Sequence, residues 1–160
     1  MNNYGSYADF TVNGVSQRMR WIAPGEFMMG SPKDEKVRDD DELHYRVILT
    51  RGFWLADTAC TQMLWSAVMG DNPSHFKGAD RPVEYVSWDD VQKFIQRLNS
   101  MTDDRLFRLP TEAEWEYACR AGTITPFSFG KNITPELVNY DGNYPYDGAE
   151  KGVYREETVP

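Results

Sequence analysis

The chain has 160 residues, the size of one domain that buries roughly 70% of the surface its unfolded form exposes. Hydrophobic residues make up 41% and aromatics 14%, which excludes an intrinsically disordered segment. With 17 Lys and Arg against 25 Asp and Glu the net charge is −8, so nucleic acid and anionic membrane surfaces are excluded as natural partners, and no apolar run reaches the length of a membrane span.

The N-terminal stretch MNNYGSYADFTVNG has neither a basic n-region nor an apolar h-region, so nothing marks the chain for export. Cys60 and Cys119 are far apart, form no Cys-x-x-Cys pair and lie near neither His44 nor His75 in sequence. Zinc-type spacing is therefore missing, and the reading is a cytoplasmic protein with both thiols free. Asn132 opens an Asn-Ile-Thr triplet, which without a leader is a chance match to a glycosylation acceptor.

Residues 1–18 read as an N-terminal extension and 19–160 as the domain. MRWIAPGEFMMGS places two short apolar stretches around Pro24-Gly25, a turn pair, and predicts a hairpin. KDEKVRDDDE, Lys33 to Glu42, is a solvated loop. HYRVILT sets Tyr45, Val47 and Leu49 on one face, and GFWLADT sets Phe53 and Leu55 against Trp54 and Ala56; both predict strands.

Three helices follow. Thr61 can cap a helix whose apolar stripe is Leu64, Trp65, Val68 and Met69, with Gly70 past its end. Ser87 and Asp90 have capping-box spacing ahead of the stripe Val91, Phe94, Ile95 and Leu98. In RLPTEAEWEYACRAGT, Thr111 and Glu114 form a T-x-x-E capping box, a device that contributes about 1 kcal/mol. Glu112, Glu114 and Glu116 are candidates for acid/base work, but carboxylates at a helix N-terminus are explained by the dipole alone. Trp115, Ala118 and Cys119 fall at i, i+3 and i+4, which puts the Cys119 thiol on the face expected to turn inward behind Trp115. That thiol also sits near the electronegative end of the helix, so the reading is core packing rather than chemistry. From Thr123 onward the chain is dense in Gly, Pro, Asn and Tyr without a sustained period, which predicts ordered but irregular backbone.

RLPTEAEWEYACRAGT resembles the signature of the formylglycine-generating enzyme, or sulfatase-modifying factor, family. FMMGS, RGFWLADTACTQMLWSAVMGDNPSHFKG, RPVEYVSW, FSFG and NYDGNYPY follow in the order such proteins show, so the resemblance runs from Arg20 to Pro160. It implies an α+β fold, irregular and C-type-lectin-like, with short strands, about three helices and long ordered loops. It also implies an oxidase that uses oxygen and a copper ion held by two cysteines to convert a substrate cysteine, in a Cys-x-Pro-x-Arg type peptide, to formylglycine. Soft thiolates suit copper(I). In the family that cysteine pair lies in the C-terminal half, after a Gly-Asn-x-Trp-Glu-Trp stretch, and neither Cys60 nor Cys119 corresponds to it. The expectation is the N-terminal portion of the domain, inactive alone, with copper entering only if a C-terminal half supplies its ligands. The implied partners are a protein or peptide substrate, or a completing C-terminal segment.

The resemblance further implies calcium as a structural ion, with Asn139 and the Tyr140 carbonyl matching one pair of its ligands; oxygen donors of this kind are what the ion takes. The companion aspartate is replaced by Lys151 beside Gly152, leaving either Asp141 or Asp147 to compensate or a loop held by turns alone. Two further readings stay open: a ligand-binding module on the lectin-like scaffold, with the loops from Asn139 to Tyr154 as its contact surface, and a degenerate paralogue that needs a second chain to complete its core.

Overall fold

The computed structural model describes residues 5–102 and 106–160, which form two compact units. One comprises Met1–Ile22, Phe53–Leu109 and Glu157–Pro160; the other comprises Ala23–Gly52 and Pro110–Glu156. Strands β1 (Tyr7–Val12), β2 (Val15–Ile22) and β5 (Phe53–Ala56) and helices α1 (Gln62–Met69) and α2 (Trp88–Met101) belong to the first. Strands β3 (Gly25–Met29) and β4 (Tyr45–Leu49) and helix α3 (Glu112–Arg120) belong to the second.

The first unit is built on an antiparallel sheet of order β1-β2-β5. Val12 faces Val15 across a two-residue turn, and its central residues Asn13 and Gly14 have φ of 45° and 80°. Such a turn needs positive φ at both positions, which an Asn-Gly pair supplies with little strain. Residues 7–18, expected to lie in an extension, thus contribute a strand, a turn, the start of β2 and the core side chains Phe10 and Val12. The helices cover the inner face of the sheet: Leu64, Trp65, Val68, Phe94 and Leu98 join Phe10 and Val12 in one buried cluster. Trp65 and Phe94 stack with centroids 5.1 Å apart and planes at 5°. The stripes read from the sequence are thus the buried faces of α1 and α2, and their ends close as expected. Thr61 accepts from the Leu64 N–H, Gly70 is left-handed, and Ser87 with Asp90 forms a complete capping box.

The hairpin expected around Pro24-Gly25 does not form: β2 pairs with β1 and β5, and β3 pairs with β4. Proline locks φ near −65° and cannot supply the positive φ of a tight hairpin turn, so the chain changes sheet there instead. In the second unit β3 and β4 run antiparallel, with Phe27 opposite Val47. Helix α3 packs on β3 through Tyr117, whose ring lies 5.4 Å from that of Phe27. The long stretch after Thr123 has no strand, only a 3-10 turn at Tyr146–Gly148.

Candidate functional site

The two thiols have opposite environments. Cys60 is partly buried against the core cluster of the first unit, and burial pushes its thiol up to about 11. A thiol in that setting stays protonated and is a poor nucleophile or metal ligand. Cys119 is exposed, and Trp115 on the same face is 58% exposed. The sequence reading that Cys119 fills a core behind Trp115 is therefore overturned.

The face of α3 that turns inward is the polar one. Tyr117 takes the apolar contact, and the Glu116–Arg120 pair takes the rest. Glu116 Oε1 accepts from the Gly30 N–H at 2.9 Å and from Arg120 Nε at 2.7 Å. Arg120 Nη2 donates to the Gly30 carbonyl at 2.8 Å, so one ion pair binds both backbone groups of a single residue. Gly30 has φ of +83°, and a Cβ there would stand 2.1 Å from the Leu43 carbonyl oxygen; only glycine fits. Glu114 closes the capping box with Thr111. Two of the three glutamates considered for acid/base chemistry are thus engaged in holding the backbone. The left-handed residue at the end of α3 is Ala121, with φ of 49°, ahead of Gly122.

The candidate metal ligands lie in the irregular part of the second unit. Asn139 is exposed and Tyr140 is partly buried, with the Tyr140 hydroxyl donating to the Ile133 carbonyl at 3.3 Å. Asp141 Oδ1 accepts from the backbone and side-chain nitrogens of Asn143 at 3.0 and 2.9 Å. Asp147 pairs with Lys36 at 3.1 Å. The Gly152 N–H donates to the Gly142 carbonyl at 2.8 Å, which closes the loop beside Lys151. Among the described residues no group of three or more His, Cys, Asp and Glu gathers where it could hold a metal. Asn139 and the Tyr140 carbonyl are oxygen donors of the right kind for calcium, and Asp141 adds a carboxylate whose Oδ1 is already occupied. Calcium takes six to eight oxygens, more than these residues alone could offer.

A densely bonded, buried polar cluster went unread in the sequence. Gln62 is 1% and Ser74 2% exposed. Gln62 Nε2 donates to the Phe76 and Pro82 carbonyls at 2.7 and 3.2 Å. Its Oε1 accepts from Asn72 Nδ2 at 2.9 Å and from the Gly78 N–H at 3.0 Å. Ser74 Oγ accepts from the Glu84 N–H at 3.1 Å, and Glu84 Oε1 accepts from the Phe76 N–H at 2.8 Å. A glutamine three residues before Trp65, opening an apolar helix, was the available signal, since a buried polar group must find partners.

With this geometry in view, comparisons with known proteins converge. The family model described as "Sulfatase-modifying factor enzyme 1-like domain" matches residues 7–159. The chain is 33% identical over 119 residues to the chaperone protein LppX of Paenibacillus barcinonensis, covering 54% of this chain and 42% of LppX. It is 32% identical over 104 residues to the formylglycine-generating enzyme of Bos taurus, covering 57% of this chain and 26% of that enzyme. The chain thus spans less than half the length of either relative. The solved structure of Treponema denticola variable protein 1 aligns with a TM-score of 0.68 at 28% identity, covering 91% of this chain and 68% of that one. The chain therefore belongs to the sulfatase-modifying factor enzyme 1-like family, that of the formylglycine-generating enzymes, and its three helices, small antiparallel sheets and long ordered loops are that family's fold.

Proposed function

We propose that these residues are the scaffold portion of a formylglycine-generating-enzyme-type domain and carry no oxidase centre of their own. The observation behind this reading is the pair of thiol environments. Copper(I) held by two cysteines needs thiolates, whereas Cys60 is held protonated by burial and Cys119 is an isolated exposed thiol on α3. In this reading the whole protein acts on a cysteine-containing protein or peptide, and its copper chemistry depends on a closely spaced cysteine pair that Cys60 and Cys119 do not provide. Two unpaired thiols also support a reducing, cytoplasmic setting. The test is oxygen uptake by the chain with a Cys-x-Pro-x-Arg peptide and copper. Turnover above that of a Cys60→Ser/Cys119→Ser variant overturns the proposal.

Calcium belongs to the same proposal, held by the Asn139 side chain and the Tyr140 carbonyl. With Lys151 in the loop and few protein donors, water completes the coordination, which makes a weak site.

The second reading, a ligand-binding module on a lectin-like scaffold, draws on the aromatic surface of the loops from Asn139 to Tyr154 and of the segment that precedes them in sequence. Phe127 and Phe129 stack at 5.7 Å with planes at 3°, Tyr146 meets Phe127 edge-on at 5.1 Å, and Phe129, Tyr144 and Tyr154 are exposed. Rigid aromatic loops make good contact surfaces. The two relatives, a chaperone protein and a formylglycine-generating enzyme, are compatible with more than one use of the scaffold. Saturable binding from a glycan and peptide screen, abolished by a chelator, would favour the module over the scaffold.

A further inference from the structure

Between α1 and α2 the chain runs from Gly70 to Ser87 without a helix or named strand, yet its backbone is fixed from within. Gln62, Ser74 and Glu84 together bind the carbonyls of Phe76 and Pro82 and the N–H groups of Phe76, Gly78 and Glu84. A loop ordered in advance presents side chains to a partner without paying for their ordering at the moment of contact.

What this loop presents is aromatic. The His75 and Tyr85 rings lie 6.3 Å apart, and Phe76 braces His75 edge-on at 4.8 Å. Tyr85 is 80% exposed and has a backbone φ of 62°. That conformation crowds a bulky L side chain against its own backbone, whereas glycine adopts it freely. Tyr85 is therefore strained and also packs little of its ring. It is held so by the Glu84 N–H bond to Ser74 on one side and the Ser87 capping box on the other. Local strain that buys no packing marks a residue kept for an external contact.

Charge selects the contact. The cations of this loop are engaged internally: Lys77 Nζ donates to the Asn72 carbonyl at 2.7 Å and Arg81 pairs with Glu157 at 2.8 Å. Asp80 and Asp89 are exposed, on a chain of net charge −8. An exposed π-face on a chain of this net charge attracts a cation. We propose that His75 and Tyr85 form a contact site for a cationic segment of a protein partner, with an arginine or lysine side chain laid over the Tyr85 ring. The site lies in the first unit and does not depend on the reading of the thiols or of the second unit's loops.

The test uses the full chain with ring-labelled Tyr and His, titrated by NMR with acetyl-Gly-Arg-Arg-Gly-Arg-Gly-amide and with the same peptide carrying citrulline for arginine. The expected result is saturable movement of the Tyr85 and His75 ring signals by the arginine peptide and affinity lower by about tenfold for citrulline. Tyr85→Gly should lose about tenfold in affinity while its Tm is unchanged or higher, because relief of strain offsets the added freedom of the unfolded chain, and Tyr85→Phe should keep the affinity. Equal binding of the two peptides, undiminished binding to Tyr85→Gly, movement confined to the loop Asp39 to Glu42, or no saturation would each overturn the proposal.

Discussion

Gln62→Met removes every hydrogen bond of the buried Gln62 amide while keeping an unbranched side chain of similar size. Four bonds are lost: to the Phe76 carbonyl, the Pro82 carbonyl, Asn72 Nδ2 and the Gly78 N–H. A buried group left without a partner costs about 1–3 kcal/mol. All four partner residues are only partly buried, so water recovers some of each, and the low end applies: about 4 kcal/mol in total, less about 1 kcal/mol for the more apolar side chain. The expected net loss is about 3 kcal/mol, which for a chain of this size lowers Tm by about 10 °C. Urea unfolding followed by tryptophan fluorescence measures it, with Trp65 buried beside this loop as a reporter. Hydrogen exchange at the Gly78 amide should accelerate in the same variant. If Gln62 organises the loop, its effect must be non-additive with Asn72→Ala by more than about 0.5 kcal/mol. A loss below about 1 kcal/mol, with additive effects, would refute the reasoning.

Other outcomes follow from the same structure. Thiol titration should give one fast and one slow cysteine: Cys119 reacts at once, while Cys60, pushed from the ordinary 9.0 to about 11, has about 100-fold less thiolate near neutral pH and reacts on unfolding; two equally fast thiols would contradict this. Because the folded-state value of Cys60 is raised, its stabilising contribution is present below pH 9 and lost as pH rises toward 11, and Cys60→Ala should flatten that alkaline limb. Asp90 is held down to about 2, first by the Ser87 hydroxyl and then by Lys93. Its contribution is therefore present above about pH 4 and disappears as pH falls toward 2, and Asp90→Asn should remove that part of the acid limb. For calcium, a weak site with a Kd of about 1 mM gives about 1.4 kcal/mol at roughly 10 mM ion. Tm should rise by about 4 °C over a chelated sample and not in Asn139→Ala; an unchanged Tm in the wild-type chain contradicts the ligand assignment.

The features readable in the sequence are those whose partners lie within one or two turns of chain. The capping boxes of Ser87 with Asp90 and Thr111 with Glu114, the cap at Thr61 and the left-handed Gly70 all depend on neighbours at most four residues away. The stripes of α1 and α2 were legible because burial follows their period. α3 was misread because Glu116 and Arg120 reach Gly30 at separations of 86 and 90 residues, and with Tyr117 they displace Trp115 from the inward face. The Gln62 cluster stayed hidden for the same reason, its partners lying 10 to 20 positions away. Pro24-Gly25 looked like the hairpin turn, yet the two-residue hairpin with positive φ at both positions is turned by Asn13-Gly14. Asn139 and Tyr140 entered only through the family resemblance, because oxygen donors on an irregular loop leave no periodic trace.

Competition for copper(I) against a chromogenic chelator, run with oxygen uptake on a Cys-x-Pro-x-Arg peptide, tests most directly whether the thiols of these residues make an oxidase. The expected result is affinity and uptake no greater than in the Cys60→Ser/Cys119→Ser variant. Tight one-to-one copper binding with peptide oxidation, both lost in that variant, would show that Cys60 and Cys119 form the reactive pair after all.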